Sequence, residues 1–185
     1  HLLAHTSGIP NVTNDPEFQR RKQFHSDVEQ TITWFRDKPL DFPPGERMKY
    51  SNSGYIMLGY VIEKASGQSY ADFVQQNVLA PAGMKDSGYD SNADIIERRA
   101  SGYVNAGGKF RNAEYVQMSI PHAAGGLYST TGDLLRWNRA LHGGKLLKPE
   151  SLAKMTTPFK DGYAFGITSG ESSGRKFFDH GGGIE

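Results

Sequence analysis

Cysteine is absent from the 185-residue sequence. Its absence excludes a disulfide framework, a thiolate zinc site and a cysteine nucleophile. An excess of either charge is absent too: 21 Lys and Arg stand against 20 Asp and Glu, a formal charge of +1. No basic stripe forms, and the densest cationic run, Arg20-Arg21-Lys22, is short and solvated. Nucleic acid is therefore not an expected partner. No apolar run approaches the ~18 residues of a membrane-crossing helix, so no transmembrane segment is expected. Gly125-Gly126 lacks the Lys-Ser/Thr that follows a phosphate loop and reads as tight packing before a helix. His1, His5, His25, His122 and His142 show no ligand spacing and read as structural or surface residues. Neither metal nor cofactor is expected. The chain opens on His1, with neither Met nor a signal peptide, and is expected to begin after other sequence.

What is present is enough chain for one core, since about 150 residues already bury roughly two-thirds of their unfolded surface. Ser26 and Glu29 have capping-box spacing, with Val28, Ile32 and Phe35 on one face, which predicts a helix over 26–36. A Pro/Gly loop over 38–50 leads into "SNSGYIMLGYVIEKASG". There the apolar residues leave almost no polar face, which predicts a buried helix over 53–65 with Gly67 just past its end. Further helices are predicted over 70–79, ended by Pro81, and over 131–141, begun by Thr130 and Asp133 with Leu134, Trp137 and Leu141 inside. A short helix follows Pro149, and short strands are expected around "SGYVNAGGKFR". Residues 163–180 read as an antiparallel hairpin with arms "YAFGIT" and "RKFFDH" and a Gly/Ser turn.

Several short patterns are decoys. Gly170-Glu171-Ser172-Ser173-Gly174 matches G-x-S-x-G, but it lies in a hairpin turn and ahead of His180-Gly181-Gly182-Gly183, the wrong order for an α/β-hydrolase. Ser151-Leu152-Ala153-Lys154 and Ser173-Gly174-Arg175-Lys176 match S-x-x-K, one on a short polar helix and one in that turn; both read as chance. Tyr50-Ser51-Asn52 is more informative. It joins the Pro/Gly loop to the apolar helix, where a phenol and an amide can be held rigidly at a cleft. A phenol pushed toward phenolate by an ammonium can take a serine proton, and Asn can hydrogen-bond a substrate amide. On these three residues alone, a Tyr packed under the loop and an Asn N-cap is the stronger reading.

Three stretches, "HLLAHTSGIP", "FPPGERMKYSNSGYIMLGYVIEKASGQSY" and "AAGGLYSTTGDLLRW", stand in this order before "HGGG". Together they resemble the serine β-lactamase and penicillin-binding protein family, in the branch with class C β-lactamases, D-Ala-D-Ala carboxypeptidases, D-aminopeptidases and related esterases. The resemblance implies an α+β fold: a mainly helical region over 1–160 and, over 161–185, the hairpin and strand of an incomplete antiparallel sheet. It implies Tyr50 and Asn52 as the second catalytic motif, His180 as the head of the third, and Gly181, Gly182 and Gly183 as substrate-binding and oxyanion backbone. The first motif, S-x-x-K, is missing from the 185 residues, so the sequence resembles the middle of a larger hydrolase. His180 stands where potent β-lactamases have Lys; His is only partly charged near neutral pH, which favours peptidase or esterase activity. The implied partner is a small-molecule or peptide substrate, and the implied setting is bacterial, periplasmic or secreted. Unpaired strand edges point to self-association. A non-catalytic binding or sensor domain that keeps the cleft is the alternative.

Overall fold

The computed structural model describes residues 1–184. Its helices are α1 (Phe18–Arg21), α2 (Val28–Thr33), α3 (Asn52–Ser66), α4 (Tyr70–Val74), α5 (Ala80–Ala82), α6 (Thr131–His142) and α7 (Pro149–Thr156). Its strands are β1 (Gly88–Tyr89), β2 (Tyr103–Ala106), β3 (Lys109–Asn112), β4 (Leu127–Tyr128), β5 (Thr168–Ser172) and β6 (Arg175–Asp179). All pairing among the described residues is antiparallel: β1 with β4, β2 with β3, β5 with β6. The class is α+β, as expected.

The helix ends follow local chemistry. Asp27 and Gln30, not Ser26 and Glu29, make the capping box of α2, so the helix starts later than the sequence predicts. Ser26 is instead buried and accepts a hydrogen bond from Thr31 Oγ1 at 2.9 Å. Ser69 accepts from the Asp72 N–H at 3.0 Å and Thr130 from the Asp133 N–H at 3.2 Å, as their spacing predicts. Past Val74 the helix widens into a π-type segment, Gln75–Leu79, and continues through Pro81 instead of ending there. The wider turn accommodates a ring that has no N–H to return.

Two apolar clusters organise the interior. Val74, Leu79, Ala82, Met84 and Ala140 form one, with Trp137 against it. Val12, Phe35 and Ile56 form the other, with Val28, Ile32 and Met57 against it. Helix α3 runs along the second cluster but is not buried all round: Ser53, Gly54, Ile56 and Gly59 face inward, while Val61 is 51% exposed. Gly59 marks its closest approach, since a Cβ there would lie 2.5 Å from His122 Nδ1 and 2.6 Å from Ala123 Cβ. In α6 the inner stripe is Asp133, Trp137, Ala140 and Leu141, and Leu134 faces solvent. Asp133 goes inside because it has partners there: the Asp86 N–H at 2.7 Å, Ser87 Oγ at 2.7 Å and Arg136 at 2.6 Å.

The antiparallel hairpin forms within the predicted 163–180 range with its second arm in place, but its first arm lies further along the chain than predicted. Its first arm is Thr168–Ser172, paired from Thr168 with Asp179 to Ser172 with Arg175. Ser173 (φ 51°) and Gly174 (φ 72°) make a two-residue turn with both residues left-handed, the geometry whose twist matches the strands. The segment expected as the first arm folds into a tight loop with bridges from Tyr163 to Lys160 and to Thr168.

Candidate active site

The site is built on the first residues of the chain. The backbone of His5 and Thr6 runs beside the Pro/Gly loop, with the Lys49 N–H donating to His5 O (2.9 Å) and the Gly45 N–H to Thr6 O (2.7 Å). This pairing delivers Tyr50 to the start of α3. The first turn of α3 is then stitched to residues 5–13. The Ser51 N–H donates to His5 Nδ1 (3.1 Å), the Asn52 N–H to Asn11 Oδ1 (3.1 Å), and Ser53 Oγ to Pro10 O (2.7 Å). Ser51, not Asn52, is the N-cap residue, and it caps with backbone only. The Asn52 side chain stays available at the surface of a cleft, with one long contact to Thr13 Oγ1 (3.5 Å).

The other wall arrives from residues 160–180. Lys160 Nζ donates to the carbonyls of Gly45 and Glu46, and the Gly166 N–H donates to Leu3 O (3.2 Å). These bonds hold the tight loop against the N-terminal segment. The hairpin that follows brings the His180 ring to 6.1 Å from the Tyr50 ring, centroid to centroid. Tyr50 and His180 share a cavity of about 220 Å³ with Tyr55, Leu127 and the Ala123–Gly126 turn. A neighbouring cavity of about 350 Å³ carries Asn52 and Gly183 and shares Ala124 and Gly125 with the first. The expected residues Tyr50, Asn52, His180 and Gly183 thus border two adjoining cavities. Gly181 and Gly182 line neither, and a Cβ at any of residues 181–183 would meet nothing within 4 Å.

Electrostatics set the resting state. Burial pushes the Tyr50 phenol above its ordinary value, the direction opposite to that of a phenolate base. Burial also raises Tyr163, to about 12, and Tyr55 further still. The phenol cluster is therefore fully protonated at neutral pH. Ser151 is exposed on α7 and Ser173 sits in the β5–β6 turn, and neither lines the cavities. Among the described residues no group of His, Asp and Glu could hold a metal ion.

His5 and the Ala123–Gly126 turn belong to the site, although the sequence pointed to neither. His5 is 2% exposed, holds a left-handed φ of 51°, and contacts the rings of Tyr50, Tyr55 and Tyr163. Its only sequence signal is its place in "HLLAHTSGIP", ahead of a Ser-Gly turn. The Gly126 tight packing anticipated from the sequence is present: a Cβ there would lie 2.6 Å from His122 O.

Residues 1–184 match the family described as Beta-lactamase. The human protein "Serine beta-lactamase-like protein LACTB, mitochondrial" is 34% identical over 158 residues, covering 77% of this chain and 28% of that protein. Penicillin-binding protein 4* of Bacillus subtilis is 31% identical over 175 residues, covering 86% of this chain and 39% of that protein. The crystal structure of a D-stereospecific amidohydrolase from Streptomyces sp. superposes with a TM-score of 0.85 at 28% identity, covering 99% of this chain and 60% of that one. The chain thus spans between about a quarter and two-fifths of these curated relatives.

Proposed function

The chain belongs to the β-lactamase family, and from that premise we propose that it is part of a serine hydrolase that cleaves amide or ester bonds through an acyl-enzyme. The observation that carries this reading is the meeting of Tyr50 and His180, far apart in the chain, on one cavity with their rings 6.1 Å apart. The nucleophilic serine and its lysine, one helical turn apart, belong to sequence outside these residues. That ammonium offsets the burial that now keeps Tyr50 protonated, so that the phenolate takes the serine proton. The Asn52 amide, at the mouth of the adjoining cavity, orients the lysine or a substrate amide. The Gly183 N–H is one donor of the oxyanion hole, a role worth about 2.7–4 kcal/mol per donor in the transition state. The open Gly181–Gly183 backbone takes an extended acyl chain alongside it.

His180 points the substrate toward D-amino-acid peptides, amides or esters and away from efficient β-lactam hydrolysis, because an imidazole is a weaker anchor than Lys for a substrate carboxylate. The amide-cleaving name of the Streptomyces relative supports the same class. No helix among the described residues is long and apolar enough to cross a membrane. The test is covalent labelling of the parent protein with a fluorophosphonate and with a fluorescent penicillin. A penicillin label that hydroxylamine releases supports an acyl-enzyme hydrolase, and a fluorophosphonate label supports its nucleophilic serine. An intact parent that takes neither label refutes catalysis and leaves a binding domain.

A further inference from the structure

Resting on that reading of the site, we infer that His5 is its positioning residue: a neutral imidazole that ties the Tyr50 wall to the Tyr163–His180 wall. Its two nitrogens have different partners. Nδ1 lies 3.1 Å from the Ser51 N–H, which can only donate, so Nδ1 carries a lone pair. The proton therefore sits on Nε2, which faces Tyr163 Oη at 3.1 Å and donates to it. Tyr55 has one hydroxyl proton, and it points at Leu3 O, 2.8 Å away. A relay of one polarity runs from the Ser51 amide through His5 to Tyr163. It holds the residue after Tyr50 and the loop before β5, which lie 46 and 158 residues from His5.

The imidazole also supports the Tyr50 ring directly. The two rings lie 4.1 Å apart between centroids, tilted at 36°, in close face contact. Tyr50 makes no hydrogen bond of its own among those described, and the residue is 41% exposed. Ring packing on His5 is what fixes its aim. The left-handed backbone of His5 is a strained conformation for a non-glycine residue, held by the contacts around it. A general base works only within hydrogen-bond reach of its proton, so a loosened Tyr50 loses turnover before it loses substrate binding.

The test uses the parent protein and three variants, with a D-amino-acid p-nitroanilide as substrate. His5→Phe keeps a ring and loses both hydrogen bonds. His5→Asn keeps an acceptor for the Ser51 N–H and suits the left-handed backbone. His5→Gln keeps a donor toward Tyr163. The expected result is a kcat between about tenfold and a hundredfold lower for His5→Phe, with KM within about twofold, and partial recovery in His5→Asn. A kcat unchanged in His5→Phe, while Tyr50→Phe abolishes turnover, overturns the assignment and leaves the hydrolase reading intact. If the wild-type parent turns over no substrate, the hydrolase reading is what fails. The tether is then judged in the 185-residue chain by amide exchange at Ser51. Exchange at least about tenfold faster in His5→Phe upholds it, and unchanged exchange overturns it.

Discussion

Acidification from pH 7 to pH 4 should cost this fold stability through His5 more than through any carboxylate. Burial, with the nearby His180 second, lowers the His5 pKa from 6.5 to about 4. The neutral form is the one the fold holds, since a proton on Nδ1 would displace the Ser51 N–H. Between these two values the unfolded chain binds more protons than the native one, so stability falls as pH falls. The contribution is complete above 6.5 and gone near 4. At 1.36 kcal/mol per pKa unit the gap is worth about 3 kcal/mol. The cleft beside Tyr50 is open to water, and solvent screening reduces this to about 2 kcal/mol. The groups facing His5 are the phenols of Tyr50, Tyr55 and Tyr163 and the imidazole of His180. The phenols stay protonated throughout this range. Asp15, Glu29 and Asp133 have carboxyls held below their ordinary values, so their contributions are lost at lower pH. The assay is urea unfolding at pH 7, 6, 5 and 4 for the wild-type chain and for His5→Asn. Burial lowers His122 as well, but that residue is common to both proteins and cancels in the difference. The wild type should lose about 2 kcal/mol more than the variant between pH 7 and pH 4. Parallel curves would refute a buried neutral His5.

Four substitutions test the packing, cap and turn assignments. Gly59→Ala should cost about 1–3 kcal/mol in urea unfolding, because its Cβ would lie 2.5 Å from a buried ring and 2.6 Å from Ala123 Cβ; Gly54→Ala, whose Cβ would meet atoms at 3.6 Å or beyond, should cost much less. Ser69→Ala should cost about 1 kcal/mol by removing the cap on the Asp72 N–H, and an unchanged midpoint would mean that α4 does not depend on it. Ser173→Asn makes Asn-Gly at a turn with two positive φ angles; the β5–β6 amides should exchange more slowly, with a gain of roughly 0.5 kcal/mol.

Helices were legible where side chains recur on a helical period behind a capping side chain, as for α4 and α6, and where the apolar run is long enough to stand by itself, as for α3. They were less legible where two candidates compete for one cap. Ser26 and Asp27 both suit an N-terminus; Asp27 takes the cap, while Ser26 is buried with its N–H donating to Ser119 Oγ, 93 residues away. The first arm of the hairpin was misplaced for a related reason. "YAFGIT" has the more strand-like composition, but Ser173-Gly174 supplies the turn and the turn fixes the register. At the candidate site, Tyr50, Asn52 and His180 could be named in advance because the resemblance supplies an order of motifs for them. His5 could not, because its role rests on a left-handed backbone and on partners 46 and 158 residues away. The resting state of Tyr50 is that of a phenol without the ammonium its role as a base requires. Burial raises its pKa, and among the described residues no lysine borders its cavity.

The most direct measurement of the account is turnover of nitrocefin and p-nitrophenyl acetate by four proteins: the 185-residue chain, its Tyr50→Phe form, the parent protein and the parent's Tyr50→Phe form. The chain should hydrolyse neither substrate faster than its own Tyr50→Phe variant, because its Tyr50 phenol is protonated and, among the described residues, no serine lines the cavity it borders. The parent should hydrolyse the ester, and Tyr50→Phe should slow it by about a hundredfold or more, as loss of a general base does. Turnover by the short chain that disappears in Ser151→Ala, or a parent indifferent to Tyr50→Phe, would contradict the account.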